Sequence, residues 1–544
     1  MVAAPPARGS QGAGLGLASS AKGGADPRQA RLAVVVVAAG VLAAWGAVRW
    51  GFCQPLLWLV VMLAWLALPV TARRGLPLPW LVPGTLVLAV GLVVARDHEL
   101  AVRHTTAFAL AVLLFGLARL AAPGEGQLRW LALGVAGTTV LVFLQVGGGM
   151  AAALGNLDAL PPGLREAAAI RLSVGRAFGS AALPGHYAAL VLTVVPLLWR
   201  WAETSRGRYR LLPVAALACV AVALYLTRSL AVLGVGVVLL AVTLLRGRRR
   251  WVVWAGVVVV LGLAVAVALQ RSDLGSLQPV RLRFVNWQVA WWVIRHHPAL
   301  GVGLGGVGQA GLKSPWAGGN ITPYTHNTPL QLVGELGVAG LPLVVAAALG
   351  LVSLLRRGAR EQPHLAMAVA VVPLHNLVDF SLYSAEVLLP WAVLVGTLAA
   401  RTTPLPARAV PSSWLVPVLA AGTLVASLEW RCDAALAEAL AAPHGGSCGA
   451  AVEAARWAPW RVRPVVAAAE LALAGRASAR ELERVEALLT RRHWVQPASA
   501  GWAELRARLL LAQGRRGEAL VWVREARRRG PAGRDLKTLE ALCR

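Results

Sequence analysis

Along most of this chain, apolar stretches of similar length alternate with short connections rich in arginine, glycine or proline. A helix needs roughly 20 apolar residues to cross the hydrocarbon core of a bilayer. Runs of that kind predict about thirteen spans, near 32–48, 55–71, 78–95, 104–121, 128–147, 181–199, 210–226, 229–245, 251–269, 329–355, 364–381, 384–400 and 412–430. The expected fold class is all-α, a polytopic membrane protein of about 12–13 transmembrane helices. Two stretches depart from the pattern. Residues 270–328 form a long glycine-rich loop, and after Trp430 the long apolar runs stop while charged residues multiply. The tail 431–544 reads as short amphipathic helices interrupted at Pro443, Pro459 and Pro497. Residues 1–31 are rich in glycine, alanine and proline without a cleavable apolar core, so a disordered cytoplasmic leader is expected before the membrane region 32–430.

Composition agrees: 57% of residues are hydrophobic and only 14% charged, against roughly a quarter charged in soluble domains. The formal net charge of +28 does not argue for nucleic acid. Much of the excess sits in alternate connections, at Arg73/Arg74, Arg119/Arg129, Arg200–Arg210, Arg246–Arg250, Arg356–Arg360 and Arg401/Arg408, where topology and anionic lipid account for it. That alternation predicts a cytoplasmic N-terminus and an outward-facing 270–328 loop. An odd number of spans then places the tail outside as well. The five cysteines are too scattered for a metal site, and a Cys432–Cys448 bridge and free thiols are both compatible with the sequence.

Candidate chemistry concentrates between Arg281 and Gly340. Arg283 precedes Trp287 at i,i+4, which on a helix puts the two on one face, and Arg281, two residues earlier, is the alternative; the tryptophans of this stretch also suit an interfacial belt, and the arginines lipid headgroups. Guanidinium groups grip phosphate oxygens, and imidazole moves protons. His326 opens the next helix, and Asn327, Gln331 and Glu335 continue at i+4 steps as a polar stripe entering the membrane, where a carboxylate marks a site or a paired group. Capping by Asn327 or Thr325 is the structural alternative for the asparagine. Arg228 lies in a very short turn on the side where arginine is disfavoured, so an anionic partner is expected. His375 and Asp379 share a helix face at i,i+4, more in keeping with support than with catalysis. Gly301-x-Gly303-x-x-Gly306 lacks the βαβ setting of a dinucleotide site and reads as a flexible turn. His296-His297 has no ligand partners for a metal.

The spacing Arg-x-x-x-Trp, then Pro-x-x-Gly-x-Gly, then His-Asn with a following Glu-x-Gly resembles the O-antigen ligase and polymerase family of bacterial membrane glycosyltransferases. Thr227-Arg228-Ser229 stands where that family carries Ser-Arg-Gly or Ser-Arg-Ser, and His375-x-x-x-Asp379-Phe380 is similar to a helix seen in members with repeat tails. Arg176 precedes a degraded form of a further family element, with His186 after it; an ordinary loop is the alternative there. The resemblance covers roughly residues 170–400. It implies a membrane-embedded glycosyltransferase of the GT-C kind, inverting and metal-independent, with no cofactor. The donor would be an undecaprenyl-pyrophosphate-linked glycan, and the acceptor lipid A-core, a growing glycan or a protein. His326, Arg283 and Arg228 would be catalytic; Arg281, Arg176, Asn327, Glu335 and Trp287 would bind substrate; His375 and Asp379 would support them. In the tail, Gly501–Pro531 has the helix–turn–helix pattern of a tetratricopeptide repeat, a surface suited to a protein partner.

Overall fold

The computed structural model of the chain describes residues 27–46, 50–68, 78–157, 172–246, 278–316, 322–405, 412–441, 447–497, 499–529 and 536–544, with 165, 168 and 169. Regular structure among them is helical throughout, with no strand. In chain order the membrane region contains α1 (Pro27–Trp45), α2 (Trp50–Leu66), α3 (Leu78–Val93), α4 (His98–Ala121), α5 (Glu125–Gly137), α6 (Thr139–Leu144) and α7 (Met150–Gly155). It continues with α8 (Pro184–Thr204), α9 (Leu211–Thr227), α10 (Leu230–Arg246), α11 (Gln278–His296), α12 (Val307–Gly311), α13 (Thr328–Glu361), α14 (Pro363–His375), α15 (Ala385–Thr402) and α16 (Ser412–Ala441). The tail adds α17 (Cys448–Trp457), α18 (Arg463–Leu471), α19 (Ala479–Arg491), α20 (Ala500–Ala512), α21 (Arg516–Arg529) and α22 (Leu536–Cys543).

Seven helical stretches among the described residues are long and apolar enough to cross a membrane, and Gln54–Leu66, Leu230–Ala241 and Pro363–His375 are shorter apolar helices. The expected span at 251–269 lies outside the described residues, as does the leader up to residue 26. Residues 27–31, assigned above to that leader, instead begin α1, with Pro27 at its first position, where the missing N–H costs no hydrogen bond. The composition shift at Trp430 falls inside the continuous helix α16. Cys432 and Cys448 are both unbonded thiols, so no bridge joins them.

The membrane helices have two chemically different ends. At one end Arg119 donates to Thr403 (3.1 Å), Arg401 donates to Glu125 (2.8 Å), and His364 faces Glu203 (3.7 Å). The opposite ends of α4, α8, α13, α14 and α15 converge on the loop 376–384. Small residues let the helices approach closely: a Cβ on Gly396 of α15 would lie 2.4 Å from the Phe115 carbonyl oxygen of α4.

Two features expected to be irregular are tightly built. The stretch containing Arg283 is a 19-residue helix rather than a loop, because Asn286, Ala290 and Val293 recur at helical spacing on a buried face. The glycine turn is not flexible either. Helix α13 breaks at Gly337 (φ 63°, ψ −165°), and backbone groups around the break pair with the turn. Val338 and Ala339 N–H donate to the Pro298 and Ala299 carbonyls (2.7 and 3.1 Å), while Val302 and Gly303 N–H donate to Gly334 and Glu335 (3.2 and 2.9 Å). Irregular backbone within a membrane domain is tolerated when protein groups satisfy it in this way.

The tail forms its own apolar clusters, one around Leu436, Val465, Leu489 and Leu509 and another around Leu510, Val523 and Leu539. Helices α20 and α21 form a hairpin around Gly514 (φ 76°). The tail docks on the segment that starts α4. Arg461 meets Glu99 (3.2 Å), Asp433 (2.8 Å) and Glu429 (3.9 Å), Gln496 donates to Asp97 (2.7 Å), and Trp494 packs edge-on to His98. The Arg461 side chain is 13% exposed, so Arg461→Leu strands partly buried carboxylates and is expected to destabilise docking by about 3 kcal/mol. Hydrogen exchange should then accelerate across 94–100 and 458–466 while the inner membrane helices keep their protection.

Candidate functional site

The site is assembled on the loop between α14 and α15. Asp379, its side chain 8% exposed, is faced by three imidazoles. His326 Nδ1 and His186 Nε2 lie 3.3 and 3.6 Å from Oδ1, and His375 Nε2 lies 3.5 Å from Oδ2. These are ion-pair distances without fully aligned hydrogen bonds. Burial alone would push the Asp379 carboxyl up; the facing His186 and His326 rings, with His375 beside them, hold it well below the usual carboxylate range.

The remaining bonds fix the rings. His375, fully buried, meets the Ser381 hydroxyl through Nδ1 (3.0 Å), and His186 meets the Ser384 hydroxyl (2.6 Å). The Phe380 ring stands edge-on to both His186 and His326, 4.6 and 4.8 Å away, and stacks on Tyr324 at 4.1 Å. His326 is the most open member, its side chain 26% exposed. With Asp379 facing Nδ1, the tautomer that carries hydrogen on Nδ1 leaves Nε2 as an acceptor.

Backbone strain marks the same residues. Among the described residues only Ala122, Arg228 and His326 are non-glycine with positive φ, at 44°, 49° and 55°. Such conformations persist only where surroundings over-determine them, and they cluster at functional sites. Arg228 forms the left-handed end of α9, and Arg176 braces that turn by donating from Nε to the Thr227 carbonyl (2.9 Å). Gly185 permits the approach: a Cβ there would lie 3.1 Å from Asp379 Oδ2 and 3.6 Å from Ser229 Oγ. Arg283 arrives on α11 and donates from Nε to the carbonyl of Val378, next to Asp379 (3.0 Å). Asn327 caps α13 by accepting from Leu330 N–H (2.9 Å) and donates to the Leu377 carbonyl (2.8 Å).

Other sequence candidates stand apart. Both oxygens of Glu335 are engaged by protein: Oε1 accepts from Gly305 N–H (2.7 Å) and Gln331 (2.6 Å), and Oε2 from the Tyr383 hydroxyl. The polar stripe of α13 is thus an internal spine that ties the glycine turn to the site loop. Trp287 packs edge-on to Phe284 (5.2 Å), and Arg281 is exposed on α11. Three contributors had little signal in sequence. Tyr383 and Tyr324 sit against His104, with ring centroids 4.8 and 5.8 Å away, and Ser384 bridges His186 and the Glu386 carboxylate. For Tyr383 and Ser384 the only sequence clue is the stretch Ser381–Glu386 directly after Phe380, and for Tyr324 it is the place two residues before His326.

Residues 213–345 match the family model described as O-Antigen ligase. It is this segment of the chain that is similar to the O-antigen ligase family. The family is one of glycosyltransferase-like ligases with glycan substrates, and the chain is a multi-pass membrane protein. No curated protein and no solved structure matches the chain. The matched ligase domain contains Arg228, Arg283, His326 and Glu335, whereas Arg176, His186, His375 and Asp379 lie outside its bounds. The fold brings the second group to the first. The candidate site therefore draws on sequence from both sides of the matched segment.

Proposed function

We propose that the chain is an O-antigen ligase-type glycosyltransferase, moving a glycan from undecaprenyl pyrophosphate to lipid A-core at the periplasmic face of a bacterial inner membrane. The observation that carries this reading is the Asp379–His326 pair, 3.3 Å apart, with the strained turn of Arg228 and the helix of Arg283 beside it. His326 Nε2 takes the proton of the acceptor hydroxyl. The acceptor oxygen forms a bond to the anomeric carbon from the face opposite the leaving group, so configuration inverts. The anomeric carbon–oxygen bond to phosphate breaks, and its electron pair leaves with undecaprenyl pyrophosphate. Arg228 and Arg283 stabilise that developing charge, as preorganised cations do in a water-poor site. Asp379 fixes the imidazole tautomer and stabilises the imidazolium, with His375 and His186 holding the carboxylate. Asn327 and Glu335 position the His326 turn, and Arg176 positions that of Arg228. The step needs neither metal nor nucleotide, because the leaving group is already activated.

The arginine-rich helix ends favour the cytoplasmic side, which supports a topology with the N-terminus there and the site and the docked tail opposite. Clustering of the ionisable groups at one end, rather than at the bilayer midplane, disfavours a transporter. The helical tail beside the site's entrance favours a protein partner, and with it a second reading as a protein O-oligosaccharyltransferase. The test supplies purified protein with undecaprenyl-pyrophosphate-linked glycan and lipid A-core. Expected is glycan on the core with one free undecaprenyl pyrophosphate per transfer, reduced about a hundredfold or more in Arg228→Ala. Lengthened lipid-linked glycan instead of decorated core would make the protein a polymerase. Absence of any pyrophosphate release would overturn the assignment.

A further inference from the structure

A second polar site lies at the other end of the same helices. A cavity of about 320 Å³ opens between the end of α8, the start of α5 and the α13–α14 junction. Along α8 its lining residues Leu197 to Thr204 lie about 17 to 27 Å from His186, at 1.5 Å of rise per residue, so it is distinct from the ligase site. Exposed Trp130, Trp199 and Tyr209 nearby are the aromatic residues that favour headgroup depth.

The wall carries both signs of charge, and some of it is already spoken for. Arg129 lies over the Trp201 ring (5.6 Å) and reaches Thr204 (3.5 Å), and Glu125 is held by Arg401 (2.8 Å). Arg200 and Glu361 both line the cavity, are exposed, and have no ion-pair partner among the described residues. His364 turns Nε2 towards Glu203 (3.7 Å), which favours hydrogen on Nε2; its Nδ1 is enclosed without a hydrogen-bond partner. The first turn of α14, behind Pro363, has no side-chain cap. Guanidinium groups beside an uncapped helix start call for a phosphate. The exposed Glu361 carboxylate calls for a cation that carries N–H.

We infer that this cavity binds the phosphoethanolamine headgroup of a membrane phospholipid. Its phosphate meets Arg200 and Arg129, and its ammonium donates to Glu361. A choline headgroup has no N–H for that carboxylate, and a glycerol headgroup brings no cation to it. The two signs in one small cavity at headgroup depth select phosphoethanolamine over both.

The test uses full-length protein in detergent and measures binding of dihexanoyl phosphatidylethanolamine, phosphatidylcholine and phosphatidylglycerol by native mass spectrometry. Phosphatidylethanolamine is expected to bind about tenfold more tightly than either other lipid. Glu361→Gln should erase that preference and Arg200→Gln should weaken all three lipids alike, neither lowering the melting temperature, since neither side chain has an ion-pair partner among the described residues. Equal binding of the three lipids, an unchanged preference in Glu361→Gln, or unchanged affinities in Arg200→Gln would overturn the inference. Displacement of phosphatidylethanolamine by millimolar inorganic phosphate would also overturn it, assigning the cavity to free phosphate. None of these readouts depends on glycan transfer, so a failure here is separable from a failure of the ligase reading.

Discussion

His326→Ala is expected to lower the rate of glycan transfer by about a thousandfold, within the range that a positioned general base contributes. The loss should fall on turnover rather than on donor binding, because the arginines that face the pyrophosphate remain. Asp379→Asn should produce a comparable loss for a different reason. An amide facing His326 Nδ1 at 3.3 Å can donate to it and favour the tautomer with hydrogen on Nε2, which removes the acceptor needed for the hydroxyl proton. Single-turnover release of undecaprenyl pyrophosphate, measured with saturating donor, separates the two variants from Arg283→Ala, in which donor affinity should fall as well. Full transfer activity in His326→Ala would remove the general base from the mechanism.

Gly303→Ala should disable the protein without touching any polar group of the site. An added Cβ would lie 2.4 Å from both the Ala95 Cα and the Gly91 carbonyl oxygen, which are backbone atoms that cannot swing away, and φ is +76°. The left-handed conformation alone costs an alanine about 1–2 kcal/mol, and the collision brings the expected destabilisation to about 3 kcal/mol or more. Because Gly303 N–H donates to the Glu335 carbonyl, and the Glu335 carboxylate holds Gly305, displacement of the turn should reach His326 through α13. Gly350→Ala is the matched control: it lies in the same helix with no atom within 4 Å of the added Cβ, so stability should hold or rise by about 0.5–1 kcal/mol. Thermal unfolding in detergent checks both.

The stripe Asn327–Gln331–Glu335 and the short turn at Arg228 could be read from spacing alone, because helical periodicity is local; His375 and Asp379 do meet, but across the turn that follows α14 and not on one helix face, since the helix ends at His375. What that stripe does could not. Whether Glu335 faces substrate or protein depends on where Gly305 lies, and that is decided by backbone pairing across the break at Gly337. In sequence, Gly337 is one more glycine in an apolar helix, indistinguishable from glycines that only ease packing. His186 was equally hard to place, since it joins Asp379 from 193 positions earlier by way of the close approach at Gly185. Helix lengths were out of reach for a related reason. Hydropathy sees composition, whereas the length of a helix also depends on where its neighbours interrupt it.

The short connection ahead of α4 serves two masters. Its inner side carries the glycine turn, through Arg96 N–H donating to the Val302 carbonyl (3.1 Å) and through Ala95 and Leu100 against Gly303 and Gly305. Its outer side carries the tail, through Asp97 and Glu99. Exchanging tails among proteins of this kind therefore cannot be done by cutting in α16 alone. A working chimera must bring along the donor's own residues 95–100, or the graft will arrive with nothing shaped to receive it and the glycine turn will lose its backing.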